Sequence, residues 1–153
     1  MKTENIAQAP STETDPGVQV PDPRHALVDC QLIAPYKELA WMPIGREEEG
    51  VAAASVQHSQ ALRTPENQHL TSFIKIGSNA IKGLTNSADN TMVYVVMKGE
   101  LTAVLNGSQY VLTRGDTICI PPQNIYDFIN MSQEEAELFS FQYRCPPKPT
   151  RGV

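Results

Sequence analysis

The sequence has little positive charge, no long apolar run and no paired cysteines. Its 12 lysines and arginines are outnumbered by 17 aspartates and glutamates, so the net charge is −5. A protein that neutralises a row of nucleic-acid phosphates is therefore excluded. The longest apolar runs, such as Val93–Met97, are too short to span a bilayer. We expect neither direct DNA binding nor membrane insertion from this segment.

The cysteine content also excludes a disulfide-stapled fold. There are three cysteines, Cys30, Cys119 and Cys145, and no two of them form a CxxC pair. No stretch near the first residue combines basic residues with an apolar core, as a secretory signal would. We expect reduced thiols in an intracellular protein.

The prolines divide the chain. Of 12 prolines, none lies between Glu66 and Ile120. Residues 1–23 contain no aromatic side chain and few large aliphatic ones, so they cannot bury enough surface to offset the entropy of ordering. We predict a disordered tail followed by three further parts, which are an arm with a loop at 24–66, a β barrel at 67–145 and a C-terminal tail at 146–153.

The arm contains two short apolar stretches. Residues 26–33 alternate in the manner of a half-buried strand. Trp41 and Met42 would be costly to leave in water, so we expect the arm to dock on the main body. Residues 51–65 are interpreted as a loop or insertion, with a short helix as the alternative.

From Leu70 onward the pattern is that of short strands separated by turns. Asn106-Gly107 is a strong hairpin signal because both residues tolerate a positive φ. Pro121-Pro122 ends a strand because proline cannot donate to the ladder. Evenly spaced short strands indicate a sandwich or small barrel. The strand candidates are 71–76, 80–84, 92–97, 101–105, 109–112, 117–120, 126–129 and 137–143.

The strand at 92–97 is apolar on both faces. Met92, Tyr94 and Val96 alternate with a second apolar set, and residues 137–143 show a similar pattern. One face fills the barrel, while the other must be covered by the arm or by a second subunit. A two-layer sandwich within one chain is the alternative, and a bulge would exchange the faces. We predict a homodimer interface formed by Val93, Val95, Met97, Phe139, Phe141 and Tyr143.

The spacing of a glycine, a proline and an asparagine is also informative. Gly115, Pro121 and Asn130 fall in register with the second motif of the cupin superfamily, G-x5-P-x-G-x2-H-x3-N. Gln123 replaces the second glycine of that motif, and Tyr126 replaces the metal-binding histidine. The chain therefore resembles an all-β cupin, a double-stranded β-helix or jelly roll, with one degenerate metal position at Tyr126.

The first cupin motif, G-x5-H-x-H-x3-4-E-x6-G, can be anchored on Gly99. Met92 then occupies the glutamate position, and the histidine positions fall within residues 85–88, none of which is histidine. Metal cupins need imidazoles and a carboxylate as ligands. The resemblance thus supports the fold and predicts no metal, no cofactor and no catalytic residues. A metal-free cupin that binds a small ligand, or a metal-dependent enzyme, is the alternative.

Several segments resemble the C-terminal cupin domain of the CENP-C family of inner-kinetochore proteins. These segments are 26–40, 73–76, 92–99, 110–116, 120–126 and 129–130. Family members share P-x-x-N-x-Y-x-I-x-N, which here runs from Pro121 to Asn130, with Phe128 where the family usually has an aliphatic residue. The resemblance covers residues 24–144.

This resemblance implies a non-catalytic domain that homodimerises through one sheet of the jelly roll. Such a dimer would strengthen attachment to centromeric chromatin by avidity, and it would offer a docking surface for other centromere, kinetochore or meiotic proteins in the nucleus. The family's arginine-rich nucleosome-binding motif is not found before residues 36–41. Nucleosome binding is therefore not assigned to this sequence.

Overall fold

The computed structural model describes residues 18–21, 27–44, 56–64 and 69–144. These residues form twelve strands and one 3-10 turn at Tyr36–Glu38. The strands are β1 Val18–Pro21, β2 Leu27–Cys30, β3 Met42–Pro43, β4 Val56–Arg63, β5 His69–Ile76, β6 Thr85–Asn86, β7 Asn90–Lys98, β8 Glu100–Leu105, β9 Ser108–Thr113, β10 Thr117–Ile120, β11 Ile125–Ile129 and β12 Ala136–Arg144.

Two antiparallel sheets form the body of the domain. The large sheet has six strands in the order β10-β7-β12-β5-β4-β3, and the small sheet has four in the order β6-β11-β8-β9. Strands β1 and β2 form a separate two-stranded sheet. This is the all-β jelly roll that the sequence predicted.

The hydrophobic core lies between the two sheets. The large sheet contributes Tyr94 and Val96, which are 2% and 1% exposed, and the small sheet contributes Phe128, which is fully buried. Around them pack Val56, Ile74, Ile76, Ala80, Leu101, Ala103, Leu112, Ile120, Tyr126, Ala136 and Leu138. The barrel interior is thus occupied by side chains of its own strands.

In β7, Val93 and Val95 lie on the face opposite the core, as their predicted place in an outer interface requires. Tyr94 and Val96 point into the core, while Val93 and Val95 are partly buried on the opposite face. A register shift between β12 and β7 occurs at Glu137/Leu138, at one end of the pairing. The rest of that ladder is regular, so the bulge does not exchange the faces.

Asn130 is a fully buried polar junction. Its Nδ2 donates to the carbonyl oxygens of Ile76, Gly77 and Glu134 at 2.9, 3.0 and 2.7 Å, and its Oδ1 accepts from the backbone N–H and hydroxyl of Ser132 at 3.0 and 2.7 Å. One side chain therefore joins the end of β5 to the loop that leads into β12.

The turn after Pro121 keeps the backbone of the cupin motif without its glycine. Gln123 has a φ of 62°, in the left-handed region that glycine favours. Its N–H donates to the Ala88 carbonyl at 2.8 Å, and its Nε2 donates to Asp89 Oδ1 at 3.1 Å. These two bonds hold a non-glycine residue in a conformation that costs about 1–2 kcal/mol.

Three predictions about secondary structure were wrong in part. Residues 56–63 form β4, although 51–65 was predicted to be a loop, because β4 pairs with both β5 and β3. Val18–Pro21 forms β1 within the predicted disordered tail. The predicted strand 80–84 is reduced to a single bridge between Ile81 and Ile129. The rest of the tail, the residues 51–55 and the C-terminal tail 146–153 lie outside the described residues.

Candidate functional site

The outer face of the large sheet carries two rows of side chains in cross-strand register. Leu138 and Ser140 face the core, so the alternate residues of β12 face outward. One row contains Cys119, Val93, Phe141 and Thr71, and the next contains Thr117, Val95, Phe139, Phe73 and Ser59. The face is therefore continuous over five strands and carries no charged side chain in these rows.

Five of the six residues of the predicted interface lie on this outer face, and the sixth, Met97, is the unpaired residue at the β7 bulge. Val93, Val95, Phe139, Phe141 and Tyr143 are partly buried, and Met97 is 48% exposed. We call these six residues the apolar stripe. Alternation did not single out Thr117 and Cys119, which are exposed beside the stripe on β10. The structure places the stripe together, and its role as an interface stays a prediction.

Aromatic rings pack along one end of the stripe. The imidazole of His69 stacks on Phe141 with ring centroids 5.5 Å apart and an interplanar angle of 19°. Phe141 and Tyr143 are 6.2 Å apart, and Phe139 contacts Phe73 edge-on at 5.3 Å. Rings that are already packed against each other lose little conformational freedom when a partner covers them.

The arm covers the other end of the outer face. Tyr36 packs edge-on against Phe73 at 5.3 Å, and its hydroxyl donates to Glu137 Oε1 at 2.6 Å. Lys75 Nζ lies 4.0 Å from the centroid of the Trp41 ring, a cation–π contact. Burial and the neighbouring Glu137 carboxylate raise the pKa of Tyr36 to about 12, so the phenol stays protonated and keeps this hydrogen bond.

The predicted docking of the arm holds for Trp41 and is wrong for Met42. Met42 is 66% exposed, and Leu32 and Ile33 are 51% and 65% exposed. The arm contacts the body through the rings of Tyr36 and Trp41 and through Ile44, which packs against the core. Its two-residue strand β3 forms the edge of the large sheet and pairs with β4. The ring contacts of the described part of the arm are with Phe73 and Lys75, and its hydrogen bond is with Glu137.

The barrel interior contains a pair of tyrosines where metal cupins have ligands. The hydroxyls of Tyr94 and Tyr126 are 2.8 Å apart and hydrogen-bonded to each other. Phe128 packs edge-on against Tyr94 at a centroid distance of 4.7 Å. Burial raises the pKa of both phenols, so both are neutral and satisfy each other.

Lys82 lies beside this pair. Its Nζ is 4.7 Å from the centroid of the Tyr126 ring and donates to Thr85 Oγ1 at 2.6 Å. Burial lowers the pKa of Lys82, and the carboxylate of Asp127 acts in the opposite direction. The same burial raises the pKa of Asp127, against the hydrogen bonds that its Oδ1 accepts from the backbone N–H groups of Gly83 and Phe128.

A scan against protein-family models matches residues 62–142 to the family described as Mif2/CENP-C like. The match extends over more than half of the chain. The chain belongs to the Mif2/CENP-C like family. The family resemblance inferred from the sequence is thereby confirmed.

Solved cupin structures share the fold of this CENP-C-like domain. The cupin domain of Schizosaccharomyces pombe Cnp3 matches with a TM-score of 0.69 and 12% identity, over 84% of this chain and 86% of that chain. An RmlC-like cupin from Shewanella frigidimarina matches with a TM-score of 0.62 and 14% identity, over 76% of this chain and 94% of that chain. At these identities the likeness shows the fold alone.

A protein from Thermotoga maritima described as a predicted oxalate decarboxylase also matches. It matches with a TM-score of 0.62 and 17% identity, over 74% of this chain and 100% of that chain. No curated protein matches the chain. In the described part of the chain, no helix is long and apolar enough to cross a membrane.

The degenerate metal positions of this CENP-C-like cupin have structural roles. Met92 is partly buried and packs against the core, and Tyr126 is tied to Tyr94. At the former histidine positions, Ser87 Oγ donates to the Pro121 carbonyl at 2.6 Å and accepts from the Asn124 N–H at 3.0 Å. These thioether, phenol and alcohol groups do not supply the imidazoles and the carboxylate that metal cupins use as ligands.

The other described residues do not form a cluster of metal ligands either. Among residues 18–21, 27–44, 56–64 and 69–144, no group of three or more histidine, cysteine, aspartate or glutamate side chains could hold a metal ion. His58 on β4 and His69 on β5 do not stand at the sequence positions that the cupin motifs assign to ligands. His58 pairs with the buried Ile74, and burial and the nearby Lys82 ammonium lower its pKa. We derive no chemical step through a metal in this CENP-C-like domain.

Proposed function

We propose that this CENP-C-like cupin is a non-catalytic homodimerisation domain, and that the apolar stripe is its dimer interface. The single observation that carries the proposal is the outer face of the large sheet, which is continuous, apolar and only partly buried. Its exposed members include Met97 at 48% and Cys119 on the adjacent strand. Tyr36 of the arm packs at the Phe73 end of the face, and the other end is the part proposed to meet a partner.

A second copy of the chain suits this face. The rows centred on Val93 and Val95 carry no charged side chains, so two copies related by a two-fold axis bring no like charges together. Valine and packed aromatic rings supply the apolar centre that stable homodimer interfaces have. The free energy of association then comes from removing this apolar area from water.

The dimer would act through avidity. Two linked copies of the parent protein would engage two sites at once, which strengthens attachment without any new contact at either site. Membership of the Mif2/CENP-C like family supports a nuclear location at the centromere or kinetochore and, as partners, other centromere and kinetochore proteins. The net charge of −5 supports attachment through proteins rather than through direct DNA binding.

The filled interior supports a non-enzymatic role. Tyr94, Tyr126 and Phe128 are each 3% exposed or less and fill the space in which metal cupins hold their ligands. Both phenols are neutral and hydrogen-bonded to each other, so neither is poised to act as a general base or a nucleophile. The interior rings support the fold, and the outer face is the surface proposed to act.

Sedimentation equilibrium of the purified chain tests the proposal. At low micromolar concentration we expect twice the chain mass of 16.8 kDa, because removing the apolar face from water favours association. The mass should fall toward the monomer value on dilution, as a reversible dimer requires. A monomer mass that is independent of concentration would overturn the proposed assembly.

A further inference from the structure

Strand β9 is the free edge of the small sheet. In the order β6-β11-β8-β9 it has β8 on one side and no neighbour in the sheet on the other. Asn106-Gly107 joins the two strands, and both residues have positive φ values, 48° and 83°. This is a two-residue hairpin of the primed type, in which the residues flanking the turn form a hydrogen-bonded pair.

The hairpin fixes which backbone groups of β9 face outward. Leu105 and Ser108 flank the turn, and the hydrogen-bonded pairs then recur at every second residue, so Tyr110 is bonded to Ala103. On the other side of β8, the N–H of Asn106 donates to the Ile125 carbonyl at 3.0 Å, as this alternation requires. The N–H and C=O groups of residues 109, 111 and 113 therefore point away from β8.

At one end of this edge the outward backbone groups of Thr113 are hydrogen-bonded, whereas those of Gln109 and Val111 are not within the described part of the chain. The N–H of Thr113 donates to Asp116 Oδ2 at 2.9 Å, and its carbonyl accepts from the Asp116 N–H at 2.9 Å. In the described chain no hydrogen bond reaches the outward groups of Gln109 and Val111. Two N–H donors and two C=O acceptors are thus left along three residues.

The side chains leave this edge unprotected. Tyr110 is 49% exposed and Val111 is 66% exposed, and Gln109 is also exposed. Natural edge strands are commonly blocked by lysine, proline, an inward charge or a bulge. Strand β9 has the sequence SQYVLT, with no charge and no proline, and its pairing with β8 is regular. It has none of the usual protective features.

The open groups are self-complementary about Tyr110. We propose that β9 pairs antiparallel with β9 of a second copy of this chain, which joins the two small sheets into one. A two-fold axis at Tyr110 places Gln109 opposite Val111 of the partner subunit, and Val111 opposite Gln109 of the partner subunit. Each of these is a hydrogen-bonded pair, so all four open groups are satisfied, and the two Tyr110 rings meet as a cross-strand aromatic pair.

A second copy fits this edge better than a peptide of another kind. An uncharged strand offers no charge complementarity to select a charged peptide, and for the same reason two identical strands approach without repulsion. The contact spans three residues and buries far less than the ~1,200 Å² of a standard stable interface. The edge pairing is therefore weak and forms at high local concentration.

Combined with the apolar stripe, the edge pairing would build larger assemblies, and this step rests on the proposed dimer. Two different isologous contacts on one chain link dimers into an open array unless their axes close it. One contact uses the large sheet and the other the free edge of the small sheet, so both can form together. Such an array would cluster the protein wherever its local concentration is high.

The test follows the mass of four proteins from low micromolar to millimolar concentration by sedimentation equilibrium. For the wild type we expect growth beyond the dimer. Val111→Pro removes an outward N–H and should weaken this growth at least about tenfold, because each edge pair loses two hydrogen bonds. Val111→Thr keeps the N–H and the branched shape, so it should associate like the wild type.

The fourth protein, Val95→Glu, separates this inference from the proposed dimer. With the stripe disabled, edge pairing alone should give growth that stops at two copies. If the stripe is not an interface, the wild type itself will stop at two copies through β9, and Val111→Pro will abolish that dimer. A wild-type mass that stays constant above a dimer plateau that Val111→Pro also reaches, or equal growth of Val111→Pro and Val111→Thr, would overturn the edge pairing.

Amide hydrogen exchange provides a readout that needs no variant. The N–H groups of Gln109 and Val111 should gain at least about tenfold protection on going from micromolar to millimolar protein, while that of Tyr110, already bonded to β8, should change little. Exchange at residues 109 and 111 that does not depend on concentration would contradict the pairing even if Val111→Pro failed to fold.

Discussion

Replacing Val95 by glutamate should convert the dimer into a folded monomer. Val95 lies between Thr117 and Phe139 in the middle of the outer face. In a dimer its carboxylate would be buried without a partner, which costs about 3 kcal/mol and weakens association about 100-fold. In the free monomer the same position is only partly buried, so the carboxylate can reach water and the domain should fold.

A matched control separates a specific effect from the general effect of an added charge. Ile125→Glu places the same charge on a strand of the small sheet, at a residue that is 50% exposed. This variant should keep the wild-type sedimentation mass, and circular dichroism should show the same β content in both variants. If Val95→Glu remains dimeric at the wild-type concentration, or if Ile125→Glu dissociates equally, the interface lies elsewhere.

Removing the side chain of Asn130 should have the largest effect on stability. Asn130→Ala deletes the donors to the carbonyls of Ile76, Gly77 and Glu134 and the acceptor for Ser132, all at a fully buried site. Buried carbonyls left without donors make this loss costlier than an exposed hydrogen bond. We expect the free energy of unfolding to fall by about 3 kcal/mol and the midpoint of thermal unfolding by roughly 10 °C.

Two further variants give this prediction a graded control. Ser132→Ala removes only the hydroxyl bonds at this junction, so it should cost about 1 kcal/mol. Asn130→Asp keeps the shape of the side chain but places a carboxylate against three carbonyl oxygens. At pH 8 this variant should therefore lose more free energy of unfolding than a variant with a neutral residue at the same position. The loss should shrink at acidic pH as the carboxyl is protonated. If the midpoint of thermal unfolding of Asn130→Ala lies within a few degrees of that of the wild type, the stabilising role assigned to the Asn130 hydrogen bonds is wrong.

Much of the fold could be predicted because the β core follows local rules. Alternation along 92–97 predicted which residues of β7 face the core, and Tyr94 and Val96 are 2% and 1% exposed. Asn106-Gly107 predicted the β8–β9 hairpin, and both residues have the positive φ that this turn requires. Each of these signals depends on neighbours in sequence, which is why one chain was sufficient to detect it.

Strand β4 could not be predicted because its stability comes from neighbours remote in sequence. It pairs with β5 on one side and β3 on the other, yet its sequence VQHSQALR has no clear apolar alternation. Ser59 is 1% exposed on the outer face, where a sequence pattern would place an apolar residue. The packing of the arm was anticipated for Trp41, but its partner Lys75 lies on β5 and carried no signal.

Part of the candidate site could be predicted from the sequence, and part could not. The six residues of the apolar stripe were identified from the period of two in β7 and β12, and the structure places all of them except Met97, which lies at the bulge, on one face. Thr117 and Cys119 complete that face, but their strand has four residues and too little alternation to orient it. Tyr36 was missed as a functional contact because its partners Phe73 and Glu137 lie more than 30 residues away.

The degenerate cupin motif shows how a change of chemistry can leave the backbone unchanged. Gln123 holds the left-handed turn of a motif glycine, and Tyr126 fills the position of a ligand histidine while bonding to Tyr94. The barrel thereby keeps its geometry and presents no ligand set.

The measurement that tests the central proposal most directly is the distance between the two copies of Cys119. In a variant with Cys30→Ser and Cys145→Ser, a spin label on the exposed Cys119 would lie beside Val93 at the stripe. We predict strong dipolar coupling between the labels of the two copies, and we predict that this coupling is lost in Val95→Glu. A label at Leu84→Cys should give much weaker coupling. That variant replaces a residue 74% exposed beside β6 of the small sheet. A dimer with stronger coupling at position 84 than at Cys119 would contradict the account.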